Sequence, residues 1–450
     1  MLFNSTNFIT FFLPAFLISY FLVSRKFKSA VIFVYNILFI ILCYYNSIIG
    51  FYALLFSLIV NYICISILYL IRKKLVLKKL VLFFSVTVNV LILVCFKSNF
   101  NGLVMPIGFS FYTFHNISVI VDYYRELSNN KEYKRISIFS YLSFILFFPK
   151  FLSGPIERYD KFKISGDNKP ELISGVYTFS IGLALKCLLS DNLDLLVNQI
   201  YTFGFDSMSI AVAWVGVYCY TMKLYFDFAG YSLMAIGIAK TVGITLSENF
   251  DAPFTSSSVT EFWRRWHITL GRFFRDYIYI PLGGNCNNKN IIRQIFNLFF
   301  VWVITGLWHG FKPNYIIWAM ISFVCIVFEK VFLLKTFKKY NSLGKTFTNI
   351  IMPIGFLIFS IENLSDLRIY MTRLFDFRSL SNMKDFVYII NQYWKIFMIG
   401  ILFLTRFPKI LSECIKKNKF IMLIISIILL YLSLKMISIS STDVFKYFTF

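Results

Sequence analysis

Histidine is the scarcest potential catalyst in this sequence, since only His115, His267 and His309 occur among its 450 residues. A neutral imidazole in a dry pocket is suited to removing a proton from an attacking hydroxyl group, because desolvation opposes protonation of the ring. His309 lies in the stretch GLWHG inside a long apolar run, and His267 lies in a segment rich in arginine. These two residues are therefore the leading candidates for acid–base chemistry.

Other kinds of reaction centre find no matching pattern in the sequence. An HExxH motif, an acidic cluster and a paired cysteine spacing, any of which could build a zinc site, are all missing. No GxSxG motif marks a serine nucleophile. Two histidines could in principle ligate haem, but no further haem signature accompanies them. We therefore expect neither a metal ion nor a bound cofactor.

The GLWHG stretch predicts a closely packed helix around His309. On a helix, Thr305 and Trp302 share the face of His309, so the Thr305 hydroxyl could orient the imidazole ring. Gly306 and Gly310 are four residues apart, a spacing that lets another backbone approach closely.

The segment from Ser247 to Asn285 surrounds His267 and is too polar to cross lipid as an ordinary span. Ser258 and Glu261 form a capping box, which predicts that a helix begins just after Ser258. At about 100° per residue, one continuous helix places His267 between a basic face and an apolar face. The basic face consists of Arg264, Arg265, Arg272 and Arg275, and the apolar face consists of Phe262, Trp263, Trp266, Leu270 and Phe273.

Two interpretations of this basic face stay open. The arginines could anchor an interfacial helix to lipid phosphate. They could equally form a cationic ring at the mouth of a site that takes a phosphate-bearing substrate.

The composition is that of an integral membrane protein, with 58% hydrophobic residues and a mean hydropathy of +0.70. Apolar runs recur along the whole chain, among them 136–151 and 211–226, and predict about 10 to 12 helical spans of about 20 residues each. We expect an all-α polytopic bundle that forms one domain over residues 1–450, with added re-entrant or interfacial helices. The first apolar stretch lacks a basic leader and a cleavage site, so we expect a retained span.

The net charge of +23 does not indicate a nucleic-acid partner. The basic residues cluster in alternate short loops, for example at Arg72 to Lys79 and at Lys335 to Lys345. This is the positive-inside pattern, and it predicts an external N-terminus with most basic loops in the cytoplasm.

Three further polar segments interrupt the apolar runs. For His115, within Met105–Arg125, we favour interhelical hydrogen bonding. The segment Phe147–Phe162 contains two prolines and a glycine, which predict either an interfacial loop or a re-entrant bend. Lys223 and Asp227 are four residues apart on a predicted helix, so we expect them to pair with each other.

Six motifs occur in order between Met105 and Trp318, and together they resemble the membrane-bound O-acyltransferase family. The motifs are MPIGFSFYTF, FFPKFLSGPIER, FDFAGYSLMAIGIA, ENFDAPF, EFWRRWHITLGRFFRDYIYIPLGG and GLWHG. The set is most similar to the bacterial branch that includes the alginate O-acetylation proteins. His115 departs from the pattern, since that branch usually has glutamine there.

The resemblance implies a bundle of tilted helices around a tunnel, with His309 as the catalytic histidine and His267 as a second site histidine. It also implies a set of substrate-binding or supporting residues: Asp227, Asn249, Arg264, Trp266, Arg272, Arg275, Asp276, Trp308 and Thr305. Proteins of this kind take an acyl group from a cytoplasmic thioester, either acetyl-CoA or a carrier-protein phosphopantetheine. The acyl group passes to a hydroxyl of an exported polymer.

The leading functional hypothesis is acetyl transfer to a cell-surface polysaccharide or peptidoglycan, in the plasma membrane of a bacterium and with an extracytoplasmic SGNH-type acetyltransferase as partner. One alternative is D-alanyl transfer to teichoic acid from an acyl-carrier protein. A different class is a transporter or flippase for a polymer precursor, with the histidines as a proton relay. The lack of paired acidic residues in the predicted spans counts against that class.

Overall fold

The structure, a computed structural model, describes residues 2–129, 134–162, 169–202, 204–284, 290–381 and 383–439. Every regular element in these ranges is a helix, and they contain no strand. The prediction of an all-α protein is therefore confirmed.

Nine helices in the described ranges are long and apolar enough to cross a membrane. They are Arg25–Tyr44, Ile48–Leu70, Leu75–Lys97, Leu172–Thr202, Ile291–His309, Pro313–Lys339, Asn341–Ser360, Lys384–Leu404 and Lys419–Ile439. A shorter apolar helix covers Phe8–Leu22. The chain is thus a multi-pass membrane protein, with fewer such helices than the about 10 to 12 spans predicted.

The described residues fall into two compact units. One comprises 2–181, 231–248 and 437–439, and the other comprises 182–230 and 249–436. The α-helices of the first unit are α1 (Leu13–Leu22), α2 (Lys28–Tyr44), α3 (Ile48–Leu70), α4 (Leu75–Lys97), α5 (Phe109–Ser128), α6 (Ile138–Ile145) and α7 (Phe148–Phe151). Helices α8 (Leu172–Ala184) and α10 (Ile210–Thr241) contribute residues to both units.

The second unit contains a π-helical segment, Leu185–Ser190, followed by the α-helix α9 (Asp191–Thr202). Its later α-helices are α11 (Val259–Arg265), α12 (Ile268–Phe274), α13 (Ile291–His309), α14 (Pro313–Phe328), α15 (Leu334–Lys339), α16 (Asn341–Ser360), α17 (Leu364–Arg373), α18 (Lys384–Leu404) and α19 (Phe407–Ile415). The last helix, α20 (Lys419–Ile439), belongs to this unit up to Met436.

Buried polar side chains hold the helices of the first unit together. The Asn89 side-chain amide donates to the Asn61 oxygen over 2.8 Å, which joins α4 to α3. The Asn116 amide donates to the Ser57 hydroxyl over 3.0 Å, and the Tyr141 hydroxyl donates to the Asn116 oxygen over 2.7 Å. Such contacts stabilise helix association in lipid, where the hydrophobic effect between helices is weak.

His115 has a structural position in this unit. Its ring is fully buried, and its Nε2 atom accepts a hydrogen bond from the Glu157 backbone N–H over 3.2 Å. The Glu157 carboxylate in turn accepts the Ser247 hydroxyl over 3.2 Å. The histidine therefore has the hydrogen-bonding role favoured from the sequence, but it joins α5 to irregular backbone beyond α7 rather than to another helix.

The prediction of a single spanning run over 136–151 is wrong, because the chain leaves helical geometry between α6 and α7. The Phe148 N–H donates to the Asn36 side-chain oxygen over 2.9 Å instead of continuing the helix. Pro149 lies in the first turn of α7, where its missing N–H is not needed. Residues 152–157 continue as buried, irregular backbone, so this segment is not an exposed interfacial loop.

Helices α13 and α14 pack closely in the second unit, as the GLWHG spacing predicts. A Cβ atom at Gly306 would lie 3.0 Å from the Ala319 Cβ, and a Cβ atom at Gly310 would lie 2.7 Å from the Tyr315 ring. Since larger side chains would force the two helices apart, both glycines set the position of the end of α13.

Candidate active site

The arginine-rich segment forms two short helices rather than the single helix predicted. Helix α11 begins after Ser258, whose hydroxyl accepts the Glu261 N–H over 3.0 Å, so the predicted start is confirmed. The helix ends at Arg265, and His267 has a φ of 45°, in the left-handed region that interrupts an α-helix. The faces predicted for one continuous helix therefore do not extend across His267.

The segment that carries the ENFDAPF motif stabilises this break. The Asn249 carbonyl accepts the Ile268 N–H over 2.9 Å, and the Asn249 side-chain oxygen accepts the Thr269 hydroxyl over 2.6 Å and its N–H over 3.3 Å. His267 gives α12 no side-chain cap. Asn249 therefore supplies the hydrogen-bond acceptors that the first turn of α12 needs.

His267 itself is held in a dry, aromatic environment. The residue is 4% exposed, and its ring meets Phe228 edge-on, with centroids 4.5 Å apart and an interplanar angle of 87°. Burial lowers the pKa of His267 to about 3, because a charged imidazolium would lose its hydration. The ring is therefore neutral near neutral pH.

His309 is the last residue of α13 and lies among aromatic rings. Its ring is 5.0 Å from that of Trp318 and 4.9 Å from that of Phe359, both at an interplanar angle of 89°. The Thr305 hydroxyl, which the sequence suggested as a partner that orients this ring, instead donates to the Val301 carbonyl over 2.7 Å. The orientation of His309 therefore depends on ring packing rather than on Thr305.

Both histidines line one cavity of about 580 Å³ in the second unit. This volume is within the range of small-molecule sites. Seven of the residues predicted for the site contribute to the cavity wall: Arg264, Trp266, His267, Arg272, Arg275, Thr305 and His309.

The other four predicted residues support the wall without lining it. Asn249 caps α12, as described above, and Trp308 packs against His309 with ring centroids 4.4 Å apart. Asp276 accepts a hydrogen bond from Arg275 over 2.8 Å. Asp227 takes part in a separate network of buried charges.

The predicted pairing of Lys223 with Asp227 is wrong, because each residue pairs across helices. The Lys186 ammonium lies 2.8 Å from the Asp227 carboxylate and 2.7 Å from that of Asp191, while Lys223 lies 2.7 Å from Asp194. A buried charge needs a partner, and Lys186 on the π-helical segment supplies the partner for Asp227. Asp227 adjoins Phe228, so this network fixes the part of α10 that packs on His267.

The four arginines of the predicted basic face divide into two groups. Arg264, Arg272 and Arg275 are exposed, and all three line the cavity. Arg265 is less exposed and lies 2.6 Å from Glu261 and 3.9 Å from Asp251, whereas among the three exposed arginines Arg275 pairs with Asp276. The cavity therefore carries three accessible guanidinium groups, an arrangement that suits a phosphate-bearing ligand better than a continuous lipid anchor.

Most of the apolar wall was not predicted as part of the site. Trp263, Trp302 and Trp318 form a cluster on the wall, with ring centroids between 5.1 and 6.1 Å apart. Phe356 and Phe359 complete it from α16. With Trp266 and Trp308, five of the seven tryptophans of the chain lie at or against the cavity, a concentration that the sequence alone does not reveal.

Metal chemistry has no visible ligand set in the described residues, where no group of three or more histidine, cysteine, aspartate or glutamate side chains could hold an ion.

Comparison with known proteins identifies relatives of the same kind. The sequence model of the membrane-bound O-acyltransferase (MBOAT) family matches residues 40–364. The probable alginate O-acetylase AlgI of Pseudomonas fluorescens is 36% identical over 267 residues, which cover 58% of this chain and 52% of the relative. The peptidoglycan O-acetyltransferase of Helicobacter pylori is 33% identical over 304 residues, which cover 60% of this chain and 56% of the relative.

The teichoic acid D-alanyltransferase of Bacillus subtilis is 30% identical over 284 residues, which cover 58% of this chain and 70% of the relative. The match spans about half the length of the alginate and peptidoglycan relatives. Because the family match includes both histidines and all the residues of the cavity wall, this chain belongs to the membrane-bound O-acyltransferase family.

Proposed function

We propose that this protein is an O-acyltransferase that moves an acetyl group from a thioester donor to a hydroxyl of a cell-surface polysaccharide or peptidoglycan. The observation that carries the proposal is the apolar cavity whose wall combines His309 and His267 with three exposed arginines. Membership of the family and the names of the relatives support the same reaction class.

His309 is the general base in this proposal. Its ring is partly exposed on the cavity wall, so an acceptor hydroxyl can reach it. As the ring takes the hydroxyl proton, the oxygen attacks the thioester carbonyl and a new C–O bond forms. The C–S bond then breaks, and the proton returns from His309 to the leaving thiolate. The aromatic wall keeps water from competing with the acceptor.

The arginines of the wall are the proposed contact for the donor. Acetyl-CoA and a carrier-protein phosphopantetheine both carry phosphate at the opposite end of the flexible pantetheine arm from the thioester, and guanidinium groups bind phosphate in a bidentate manner. Arg264, Arg272 and Arg275 belong to the same cavity as His309, so one ligand could contact both. No bound cofactor is needed, because the thioester is a substrate.

The acceptor and the partner follow from the family comparison. The named relatives act on alginate and on peptidoglycan, which are polymers of the bacterial envelope. We infer a position in the bacterial plasma membrane, with the donor in the cytoplasm and an extracytoplasmic SGNH-type acetyltransferase as partner.

The test is the amount of base-labile acetate on envelope polymers in cells that carry His309→Ala at the normal protein level. We expect acetate to fall to the background of a strain that lacks the gene. His115→Gln is the matched control, because it changes a buried histidine that does not line the cavity and keeps a hydrogen-bond acceptor. Unchanged acetate in the His309→Ala strain would contradict the proposal.

D-alanyl transfer to teichoic acid is the second candidate, because a teichoic acid D-alanyltransferase matches over 70% of its own length. The same strains separate the two reactions when ester-linked D-alanine is measured beside acetate. A His309-dependent loss of D-alanine, together with capture of a carrier protein by the full chain, would favour this candidate over acetylation.

A further inference from the structure

Helix α19 lies in the chain between the two apolar helices α18 and α20, yet it buries none of its own residues. It has nine residues, far fewer than the about 20 that a span requires. Helix α19 is therefore a connection that remains at one surface of the membrane.

The residues of α19 divide into two faces. At about 100° per residue, Phe407, Ile410, Leu411 and Cys414 fall within one third of the helix circumference. The exposed fractions of Phe407, Ile410 and Leu411 are 46%, 59% and 46%, so about half of this apolar face is left uncovered. The opposite face carries Lys409, Ser412, Glu413 and Lys416.

An ion pair fixes which face points towards the protein. The Lys409 ammonium donates to the Asp251 carboxylate over 2.9 Å, and this hydrogen bond lowers the pKa of Asp251. Because Lys409 lies opposite Phe407 and Leu411 on the helix, the polar face is turned towards Asp251. The apolar face therefore points away from Asp251.

The charges around α19 are strongly positive. Arg406, Lys416, Lys417 and Lys419 are all exposed and flank the helix at both ends, while Glu413 is the single acid within 406–419. In the part of the chain that the structure describes, no salt bridge joins Lys416, Lys417 or Lys419 to a carboxylate. An amphipathic helix with a cationic polar side matches the interface of a bilayer that contains anionic lipid.

We propose that α19 is an in-plane membrane helix that binds anionic phospholipid, with Phe407, Ile410 and Leu411 among the acyl chains and the lysines at its C-terminal end on the headgroup phosphate. The proposal does not depend on the acyl-transfer reaction, because it rests on the faces and charges of α19 alone.

The test measures phospholipid bound to the purified full chain by native mass spectrometry, with phosphatidylglycerol or phosphatidylcholine added to detergent micelles. We expect K416Q/K417Q/K419Q to bind phosphatidylglycerol at least about tenfold more weakly than the unchanged protein, given about fivefold per lysine near an anionic surface. Binding of phosphatidylcholine should not change.

The matched control is K335Q/K338Q/K339Q, which removes the same charge from α15, another exposed basic segment. Helix α15 packs Phe337 into the protein, and Leu334 is its one exposed apolar side chain, so its free apolar face is smaller than that of α19. This variant should keep most phosphatidylglycerol binding. An equal loss in both triple variants would overturn the proposal, because charge alone would then explain it.

A second variant tests the apolar face. I410N/L411N keeps every lysine, and we expect it to weaken phosphatidylglycerol binding as well. Unchanged binding in this variant would overturn the in-plane arrangement. In the unchanged protein, binding should fall as salt is raised, and a salt-independent affinity would contradict the headgroup contact without any mutation.

Discussion

The two histidines of the cavity are held in opposite ways. His309 ends a long helix, keeps ordinary helical geometry and is partly exposed to the cavity. His267 lies between two short helices, has a left-handed backbone and is 4% exposed. Glycines that admit a neighbouring helix fix the position of His309, whereas hydrogen bonds that Asn249 accepts from Ile268 and Thr269 stabilise the break at His267.

This difference separates two tasks that the sequence alone assigns to both residues. A base must meet its substrate, and partial exposure on the cavity wall makes His309 the better candidate. His267 is buried, so less of its ring can meet a substrate. We therefore expect His309 to govern the rate of the reaction and His267 to govern the shape and stability of the site.

The largest expected effect is on activity. Asn replaces the imidazole by a group that cannot serve as a base, so His309→Asn should lower kcat by a factor of about 10² to 10⁴. His267→Asn should lower it by about tenfold at most, since asparagine tolerates the left-handed conformation. Single-turnover transfer from a labelled thioester measures both variants, and equal losses would remove the distinction between the histidines.

The next effect is on stability, and here the larger loss is expected at position 267 rather than at position 309. Valine is β-branched and poorly suited to a positive φ, so His267→Val should lower the free energy of unfolding by about 2 kcal/mol. His309→Val should lower it by only about 1 kcal/mol, because this position is helical and only ring contacts are lost. Equilibrium unfolding in mixed detergent micelles compares the two variants, and a larger loss at position 309 would contradict the assignment.

A smaller effect on stability tests whether the Asn249 side chain stabilises the break between α11 and α12 at His267. Asn249→Ala removes the acceptor for the Thr269 hydroxyl and N–H, and we expect a loss of about 1 kcal/mol in the free energy of unfolding. Asn249→Asp keeps an acceptor oxygen and is the control. If the alanine and aspartate variants are equally stable, the side-chain cap contributes nothing.

The last prediction concerns the pH dependence of stability. The folded-state pKa of His267 lies near 3, below its unfolded value of about 6.5. Its contribution to stability is therefore complete above about pH 6.5 and is progressively lost as pH falls towards 3, because only the unfolded chain takes up the proton. His267→Asn should flatten the pH dependence of unfolding in that window while leaving the shape of the rate profile between pH 6 and 8 unchanged. If the unchanged protein and His267→Asn lose stability equally as pH falls, the His267 ring is hydrated and its pKa is not lowered by burial.

The order of the motifs predicted the family, and seven of the eleven site residues that the resemblance implied line one cavity. The break at His267 could not be predicted in the same way, because a positive φ is uncommon for any residue other than glycine and no proline or glycine adjoins His267. The ion-pair partner of Asp227 could not be predicted from the sequence either. Lys186 lies 41 residues earlier in the chain, and only the packing of the π-helical segment brings the two together.

The aromatic residues of the cavity wall could not be predicted from the sequence for a different reason. Trp302, Trp318 and Phe359 lie on apolar helices, where a large side chain faces lipid as often as it faces a cavity. The spacing of apolar residues along a helix is the same whether they face lipid or a cavity. The tertiary arrangement of α13, α14 and α16 decides between them.

The concentration of tryptophans around the cavity also makes the site optically visible. Of the two tryptophans elsewhere, Trp214 donates its indole N–H to the Leu374 carbonyl, and Trp394 is 52% exposed. Intrinsic fluorescence is therefore dominated by indoles that a bound ligand would touch or dehydrate. Emission from the unlabelled protein can report the filling and emptying of the cavity in real time, with Trp394→Phe as a variant that removes the solvent-exposed background.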